Sequence, residues 1–496
     1  MNTFVQRNAQ NRAPIVEALT TYRKVTRFHM PGHRGGTGAD PAAVSFLGLK
    51  AYANDVTGVP GLDDLHEPCG CIEEAQSLAA QAFGADRTFF SVNGTSGAIH
   101  TMVLSAIDDG DVLIIPRNIH KSVLGAIVLS GAKPHFVPVT YDPYLGLSLG
   151  VDPLSIMQCV ESNPQAKGAL LVNPTYYGTY TDLTHIAEAL HSRNMVLLVD
   201  EAHGPHLRFH PDLPKPALDS GADAVAQGAH KLISAFTQAS MLHVKGDRID
   251  RSRLKAFYQY LATTSPSYLL LASLDAARRQ MALKGYELLD RAINLAGTLR
   301  ESISKIPGLY CFGEDITEKP GVDSLDPTKV TITVRDLGIT GYQAEAFLRN
   351  QANIQVELSD LYNILVIVSF GNTATHVDRL LDGLKALVSA VREGEISRDL
   401  LRAQESISNL PVQPVMALAP KEASRRPWER VLLAESRGCI SAEVVTCYPP
   451  GIPIVFPGEI ISKEVVDYLE IVKKLAWGIS GPEDRSLNTL RVVKEK

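Results

Sequence analysis

The stretch Met195-Val-Leu-Leu-Val-Asp-Glu-Ala-His203 decides the fold, because five apolar residues run directly into a charged segment. Short, fully apolar runs of this kind are typical of strands that are buried on both faces of a parallel sheet. Residues 182–193, just before it, carry apolar side chains at helical spacing. We therefore expect a helix over 182–193 that leads into a buried strand over 195–200.

The same alternation of short apolar runs and helical patterns extends from about residue 70 to residue 245. Further strands are expected at 112–116, 135–139, 168–172 and 222–226. Strands separated by helices predict an α/β fold with a mostly parallel sheet that is covered on both faces. In such sheets ligands bind at the carboxyl ends of the strands, so we expect the chemistry there.

The pattern changes after a long helical stretch at about 268–305. Lys329-Val-Thr-Ile-Thr-Val334 alternates strictly, which is typical of a half-buried strand. A second strand at 362–370 and helical segments near 341–350 and 374–393 complete a smaller α+β unit. This unit is expected to be a separate domain.

A proline-rich stretch at 409–428 predicts a linker, after which a third compact unit follows. Within that unit Glu443 and Glu459 could face the substrate or lie on the surface, and the surface position is favoured because isolated acids are mostly exposed. The expected domains are an N-terminal segment at 1–60, a large ligand-binding domain at 61–300, a small α+β domain at 301–408 and a C-terminal domain at 409–496.

The composition is that of a soluble globular protein. The 496 residues include 48 Lys plus Arg and 54 Asp plus Glu, for a net charge of −6, and 45% are hydrophobic. These values argue against a disordered or collagen-like chain, and the acidic balance argues against nucleic acid or an anionic membrane as partner.

Six scattered cysteines do not suggest a disulfide framework, and Cys69-Gly-Cys71 has no second pair to complete a zinc site. Without a secretory signal or an uninterrupted apolar span, we expect a cytoplasmic protein.

Two charged residues follow neighbouring predicted strands and could face one ligand. Asp200 ends its strand, and Lys231 lies 31 positions later, just beyond the next strand. Considered singly, each residue has a simpler interpretation: the aspartate could cap a helix, and the lysine could be an exposed surface residue. The third element is Ser91-Val-Asn-Gly-Thr-Ser-Gly97, a loop whose backbone N–H groups and hydroxyls suit a phosphate. Lysine, aspartate and a phosphate site together are the requirements of pyridoxal phosphate.

Competing motifs do not fit the sequence. Asp200-Glu-Ala-His203 occurs in helicases, but the chain has no Gly-Lys dipeptide and therefore no GxxxxGK[ST] phosphate loop. It also has no GxGxxG for a dinucleotide and no HExxH for a zinc protease. His185, Glu188 and His191 share a helical face that is interpreted as solvated, so no metal site is predicted.

Ordered blocks along nearly the whole chain carry a resemblance to a known family. They are Phe28-His-Met-Pro-Gly-His33, Gly61-Leu-Asp-Asp-Leu-His66, Phe89-Phe-Ser-Val-Asn-Gly-Thr-Ser-Gly97, Pro116-Arg-Asn-Ile-His-Lys-Ser122, Asn173-Pro-Thr-Tyr-Tyr-Gly178, Val199-Asp-Glu-Ala-His-Gly204, His230-Lys231, Thr263-Thr-Ser-Pro-Ser-Tyr268 and Tyr448-Pro-Pro-Gly-Ile-Pro453. On these blocks the chain resembles the Orn/Lys/Arg decarboxylase family of pyridoxal phosphate enzymes. Within it, the chain is most similar to the short biosynthetic-type arginine decarboxylases. The resemblance implies fold type I: an aspartate aminotransferase-like large domain that binds the cofactor, a smaller α+β domain and a family-specific C-terminal domain.

The resemblance also implies a role for each matching residue around the cofactor ring. Lys231 matches the Schiff-base lysine, and Asp200 matches the partner of the pyridine nitrogen. His120 matches the residue that stacks on the ring, and Ala202 would pack against its other face. His203 would contact the phenolic oxygen of the cofactor or the carboxylate of the substrate.

The other matching residues would bind the phosphate, the substrate and a second subunit. The implied cofactor contacts include Gly94, Thr95, Ser96, Thr175, His230, Thr264 and Ser265. Residues 263–265 match a segment that reaches the active site of a neighbouring subunit, which implies a homodimer or a dimer-based higher oligomer. Glu357 and Asp360 match a region near the distal end of the substrate, where two carboxylates would suit a guanidinium or ammonium group.

One position departs from the family pattern. Where the family usually has serine two positions before the His-Lys pair, this chain has Gly228. The backbone N–H remains but a hydroxyl is lost, and one hydrogen bond to a charged group contributes about 1.5–3 kcal/mol. We expect weaker cofactor binding from this change.

The implied reaction is decarboxylation of a basic L-amino acid, first of all arginine to agmatine and CO₂, which would supply polyamine and spermidine biosynthesis. Lysine and ornithine remain alternative substrates, because the sequence does not give the depth of the cavity. An aminotransferase would use the same lysine and aspartate, and a non-catalytic paralogue that binds the cofactor or an amino acid is the non-enzymatic alternative.

Overall fold

The computed structural model describes residues 9–398, 414–448, 452–474 and 478–494. Its α-helices are α1 (Pro14–Tyr22), α2 (Pro41–Leu47), α3 (Leu49–Asn54), α4 (Cys71–Phe83), α5 (Gly94–Ala106), α6 (Lys121–Ser130), α7 (Pro153–Ser162), α8 (Thr184–His191), α9 (Ala229–Leu232), α10 (Arg251–Leu261), α11 (Tyr268–Ile303), α12 (Gly341–Ala352), α13 (Ala374–Arg392), α14 (Pro420–Arg425) and α15 (Lys463–Lys474). Its strands are β1 (Arg87–Ser91), β2 (Val112–Pro116), β3 (Lys133–Val137), β4 (Thr140–Asp142), β5 (Leu147–Gly150), β6 (Ala166–Val172), β7 (Thr179–Tyr180), β8 (Val196–Asp200), β9 (Ala224–Gln227), β10 (Ser240–Val244), β11 (Tyr310–Cys311), β12 (Ser324–Leu325), β13 (Lys329–Thr333), β14 (Leu358–Ser359), β15 (Asn363–Ile367), β16 (Trp428–Leu432), β17 (Val445–Tyr448), β18 (Ile452–Val455), β19 (Gly478–Ser480) and β20 (Thr489–Val493). The strands predicted near residues 112, 135, 168, 195 and 222 are confirmed as β2, β3, β6, β8 and β9, with ends shifted by up to two residues.

The described residues divide into two compact units, the first within Met1–Ala106 and Leu190–Leu288 and the second within Ile107–Ala189 and Leu289–Lys496. In the first unit four buried strands pair in the order β1, β10, β9, β8. Strands β8 and β9 are parallel, with Asp200 opposite Ala226, whereas β10 runs antiparallel to both of its neighbours. The carboxyl ends of β8 and β9 therefore lie side by side.

A buried ion pair holds the N-terminal segment of the first unit on helix α11. Arg278 and Asp275 are both fully buried, one helical turn apart, and bind each other. Arg278 also donates to the backbone oxygens of Gln10 and Arg12, and Asp275 accepts the backbone N–H of Ile15 at 2.9 Å. Because the two buried charges bind each other and the backbone of residues 10–15, they hold this short stretch against α11.

In the second unit, β2 pairs in parallel with both β3 and β6. The predicted small α+β unit is also confirmed. An antiparallel sheet with the order β11, β13, β15, β14 is covered by α12 and α13, and the apolar core between them includes Ile332, Leu348, Ile364 and Leu384. Helix α12 begins with a capping box in which Thr340 and Gln343 satisfy each other's backbone N–H groups.

The expectation that strand 329–334 is half buried is wrong, because every residue of β13 is buried. Two of its three polar side chains, those of Lys329 and Thr333, bind partners inside the protein instead of water, whereas the hydroxyl of Thr331 is buried without a partner among the described residues. Lys329 donates from Nζ to the backbone oxygen of Tyr176 at 2.8 Å, and Thr333 donates to the side chain of Asn363 at 2.6 Å. An alternating pattern thus predicted the strand correctly but not the environment of its polar face.

The C-terminal part contains two small antiparallel sheets, β16–β20 and β18–β17–β19, and helix α15. Residues 409–413 of the predicted linker and residues 449–451 of the Tyr448-Pro-Pro-Gly-Ile-Pro453 block lie outside the described residues. The described part of that linker is not an open connection, since Pro420 begins α14 at a position where its missing N–H breaks no hydrogen bond.

The predicted domain boundaries at 60, 300 and 408 remain a prediction, because the two compact units divide the chain at other positions. Among the residues that the structure describes, no helix has both the length and the apolar character that crossing a bilayer requires.

Candidate active site

Asp200 is a buried carboxylate at the carboxyl end of β8. Only 4% of its surface is exposed, and Oδ1 accepts the backbone N–H of Ala202 at 3.1 Å. Burial raises the pKa of Asp200, while the positive charge of Lys231 and the Ala202 hydrogen bond act in the opposite direction. A carboxylate in this position is stabilised as an anion when a cationic N–H donor lies against it.

Lys231 is a half-buried residue of the short helix α9, which follows β9. Its Nζ lies 2.8 Å from Nε2 of His203, a buried residue that follows β8 by three positions. A neutral imidazole nitrogen can take a proton from the ammonium group, and an amine must be neutral to act as a nucleophile. The structure therefore brings three of the predicted residues together: Asp200, His203 and Lys231.

The predicted phosphate loop is the N-terminus of α5, which begins at Gly94. Gly94 has φ +70°, so the chain turns there in a conformation that glycine adopts without strain. Oγ1 of Thr95 lies 2.8 Å from Oγ of Ser240 on β10. In the first turn of this 13-residue helix the N–H groups of Gly94 and Gly97 donate to the backbone oxygens of Gln238 and Asn93, and the same turn carries the N–H groups and hydroxyls of Thr95 and Ser96.

Gly228 packs against Ala202, Thr95 and Lys231, and a side chain at this position would clash with its neighbours. Its N–H donates to the backbone oxygen of Ala202 at 3.3 Å. A Cβ at this position would lie 2.8 Å from that same oxygen and 3.1 Å from Oγ1 of Thr95. The family serine therefore does not fit onto this backbone unless Ala202 moves.

Among the other predicted residues of the first unit, His230 contacts the protein backbone and residues 263–265 are exposed. His230 is tied to the backbone, since Nδ1 lies 3.0 Å from the oxygen of Ala239. Residues 263–265 are exposed, and the oxygen of Thr263 accepts from His66 at 3.0 Å. Thr264 and Ser265 are therefore accessible for a contact with another molecule.

A buried hydrogen-bond chain beneath this site was missed by sequence reasoning. Gln227 donates to Glu201 at 2.6 Å and lies 3.1 Å from Nε2 of His243, whose Nδ1 lies 2.8 Å from the hydroxyl of Thr88. Burial raises the pKa of Glu201 to about 8 and lowers that of His243 to about 3, so both side chains are neutral near pH 7. The only sequence signal was polar residues within otherwise apolar strands.

The remaining predicted residues belong to the second unit. His120 caps helix α6, with Nδ1 2.8 Å from Oγ of Ser122. Thr175 is buried, and its hydroxyl lies 2.6 Å from that of Thr179. These contacts fix both side chains within their own loops.

The two predicted substrate carboxylates differ in their environment. Asp360 is buried and accepts hydrogen bonds from the hydroxyl of Tyr177, from two backbone N–H groups and from Asn363. Burial raises its pKa to about 6 although these hydrogen bonds lower it. Glu357 is exposed and accepts a hydrogen bond from the hydroxyl of Tyr176 on one oxygen. Glu357 is thus the carboxylate that a solvent-borne cation can reach.

The expectation that Glu443 and Glu459 lie on the surface is wrong. Glu443 is 8% exposed and accepts two backbone N–H groups, those of Glu483 and Arg491, both at 2.8 Å. Glu459 is fully buried and binds Arg117 through both of its carboxylate oxygens. Both acids are buried because specific donors replace water, which a single sequence does not reveal.

Comparison with known proteins identifies the relatives of this chain. The model of the Orn/Lys/Arg decarboxylase major domain matches residues 13–376, and that of the C-terminal domain matches residues 402–483. The chain is 45% identical to an arginine decarboxylase of Halalkalibacterium halodurans, with 98% of each chain covered. It is 44% identical to an arginine decarboxylase of Bacillus subtilis, with 98% of this chain and 99% of the relative covered.

The fold is also that of a solved structure. The crystal structure of a lysine decarboxylase from Francisella novicida matches with a TM-score of 0.85 and 26% identity, over 97% of this chain and 81% of the other. This likeness confirms the predicted fold class, a large α/β domain of the fold type I kind with a smaller α+β domain and a C-terminal domain. The chain belongs to the Orn/Lys/Arg decarboxylase family.

Proposed function

We propose that this chain is an arginine decarboxylase that uses pyridoxal phosphate and forms agmatine and CO₂. The substrate is supported by 44–45% identity to two proteins of that name, against 26% identity to a lysine decarboxylase. The observation that carries the reaction type is the pair of Lys231 and His203, 2.8 Å apart, next to the buried carboxylate of Asp200.

The residues of the first unit fit this cofactor. Burial raises the pKa of Asp200, and a protonated pyridine nitrogen beside this carboxylate would stabilise its charged form. The N-terminus of α5, with Thr95 and Ser96, offers donors to a phosphate, and Lys231 offers the amine. When bound, pyridoxal phosphate accepts the electron pair of the bond between Cα and the carboxylate.

The protein's own residues would handle the protons of this reaction. His203 takes a proton from Nζ of Lys231, which makes the amine available for the cofactor. After CO₂ leaves, Nζ of Lys231 would return a proton to Cα. His120, Ala202, Thr175, His230, Thr264 and Ser265 are the further cofactor contacts that we propose from the family pattern.

We assign recognition of the guanidinium group to Glu357. Its exposed carboxylate keeps one oxygen free of the Tyr176 hydrogen bond, which leaves a place for a planar donor. Asp360 acts differently, because its oxygens already accept bonds from the protein and hold Tyr177 in place. The product agmatine would serve polyamine and spermidine biosynthesis in the cytoplasm.

A homodimer is the proposed functional unit. Large apolar side chains are exposed in the segment before α4, where Phe28 is 91% and Phe46 is 88% exposed, and Met30, Leu47 and Leu49 are also exposed. A monomer rarely exposes so many large apolar groups in one short segment. The exposed residues 263–265 would then reach the site of the second subunit.

The assignment is tested by amine production from arginine, lysine and ornithine, measured by mass spectrometry with pyridoxal phosphate present. We expect agmatine from arginine as the main product and none from the Lys231→Ala variant, because Lys231 supplies the amine beside His203 and Asp200. Cadaverine or putrescine as the main product would overturn the substrate assignment. A keto acid product would indicate an aminotransferase, and a cofactor spectrum without any product would indicate a regulatory paralogue.

Substitution of Glu357 tests recognition of the substrate side chain. We expect Glu357→Gln to raise KM for arginine about 10- to 100-fold, since one charge-assisted hydrogen bond contributes about 1.5–3 kcal/mol. The affinity for pyridoxal phosphate should not change. The exposed acid Asp378→Asn on α13, which is close in sequence, is the matched control. An unchanged KM in Glu357→Gln would remove this residue from the substrate site.

Gly228 gives a prediction about the cofactor that differs from the one based on sequence alone. Because a Cβ would lie 2.8 Å from the oxygen of Ala202, we expect Gly228→Ser to bind pyridoxal phosphate no more tightly than the natural protein. Gly228→Ala separates the steric effect from that of the hydroxyl. Reconstitution of the apoprotein, followed by absorbance, measures both. Tighter binding by the serine variant would show that Ala202 can move and that the missing hydroxyl weakens binding.

Sedimentation equilibrium tests the dimer. We expect twice the mass of one chain, and a shift toward the monomer in Phe46→Ser, which removes an exposed aromatic side chain. Leu154→Ser on α7 is the control, since this residue is also exposed but lies far away in sequence. A monomer that retains full decarboxylase activity would contradict the proposed shared site.

A further inference from the structure

Arg117 connects the loop that carries His120 to the C-terminal part of the same unit. It follows β2 directly, lies three residues before His120 and is 7% exposed. Its guanidinium binds both carboxylate oxygens of Glu459, a fully buried acid 342 positions further along the chain. Ile119, between Arg117 and His120, is also buried, so little of this loop is free to move.

The guanidinium makes further directed contacts with the segment 453–459. Nε donates to the backbone oxygen of Pro453 at 3.1 Å, and Nη2 donates to that of Ile454 at 2.9 Å. The rings of Phe136 and Phe456 lie with their centroids 4.7 and 4.8 Å from the guanidinium carbon. One side chain therefore fixes β18, the turn after it and the end of β2 with respect to each other.

Glu459 is committed to the same contact. Besides Arg117, its Oε2 accepts the backbone N–H of Phe456 at 2.7 Å. A buried ion pair is weak evidence for stability, because apolar residues of the same volume often stabilise a core equally well. What such a pair adds is direction, since the planar guanidinium must face the carboxylate and two backbone oxygens at once.

We propose that Arg117 and Glu459 are positioning residues, through which the C-terminal domain holds the His120 loop in the geometry that the cofactor requires. The inference rests on the proposed function in one respect, namely that His120 contacts the cofactor ring. It gives the C-terminal domain a role at the active site without a direct contact with the substrate. His120 itself is the N-cap of α6, so a displaced loop would also displace the helix cap.

The test uses the full-length protein and measures cofactor binding separately from turnover. In Glu459→Gln we expect the dissociation constant for pyridoxal phosphate to rise at least tenfold and the visible circular dichroism of the bound cofactor to decrease. The value of kcat should fall more than the KM for arginine changes, because the substrate contacts are intact. Arg117→Lys keeps the charge but loses the planar fork, so we expect a smaller effect in the same direction.

The matched control is Glu483→Gln, which removes an acid of the same C-terminal domain that binds Arg430 and Arg491 at the surface. It should leave the cofactor constants unchanged. If Glu459→Gln does not fold, Phe456→Leu tests the proposal instead. This variant keeps the ion pair and removes one aromatic contact with Arg117. For that variant we expect the cofactor dissociation constant to rise about two- to fivefold.

A folded Glu459→Gln or Phe456→Leu variant with the cofactor affinity and dichroism of the natural protein would overturn the proposal, even if its melting temperature were lower. That outcome would make the pair purely structural. Failure of the proposed function has a different signature, because the natural protein would then bind pyridoxal phosphate but form no agmatine.

Discussion

The parallel pairing of β8 with β9 is the constraint on which the candidate site depends. It places Asp200 opposite Ala226, so that the residues after both strands emerge at one edge of the sheet. His203 and Lys231 follow from there and come within 2.8 Å of each other. A shift of the register by one residue would turn Asp200 to the other face of the sheet and separate it from the lysine.

The buried hydrogen-bond chain from Glu201 to Thr88 keeps that register in place. The chain begins at Glu201, the residue after β8, and continues through one residue each of β9, β10 and β1. It therefore connects the four strands described in the first unit. Since a polar group left unpaired in the interior costs about 1–3 kcal/mol, any slip of one strand would be penalised several times over. Apolar packing alone makes these strands buried, but only directed bonds of this kind select one register among several.

Much of this was predictable from the sequence, and the reasons are local. The apolar runs at 112–116 and 195–200 predicted buried strands, because few other structures bury so many consecutive side chains. The candidate Asp200 and Lys231 could be paired because strand ends converge in parallel sheets. What was not predictable depends on partners that are distant in the chain. Glu459 was expected at the surface because nothing near it in sequence reveals Arg117, and Lys329 was expected on a wet face because its partner lies 153 positions away.

The environments of the acids explain why the same residue type has such different roles in this protein. Glu459 binds a guanidinium through both oxygens, and Asp360 is surrounded by donors of its own unit, so neither has capacity left for a ligand. Asp200 differs, because burial raises its pKa although the positive charge of Lys231 and the Ala202 hydrogen bond act in the opposite direction. A cation that binds beside a buried carboxylate offsets the cost of its burial. The contact that we propose between Asp200 and a positively charged ring nitrogen therefore depends on the burial of this carboxylate as much as on its hydrogen bond.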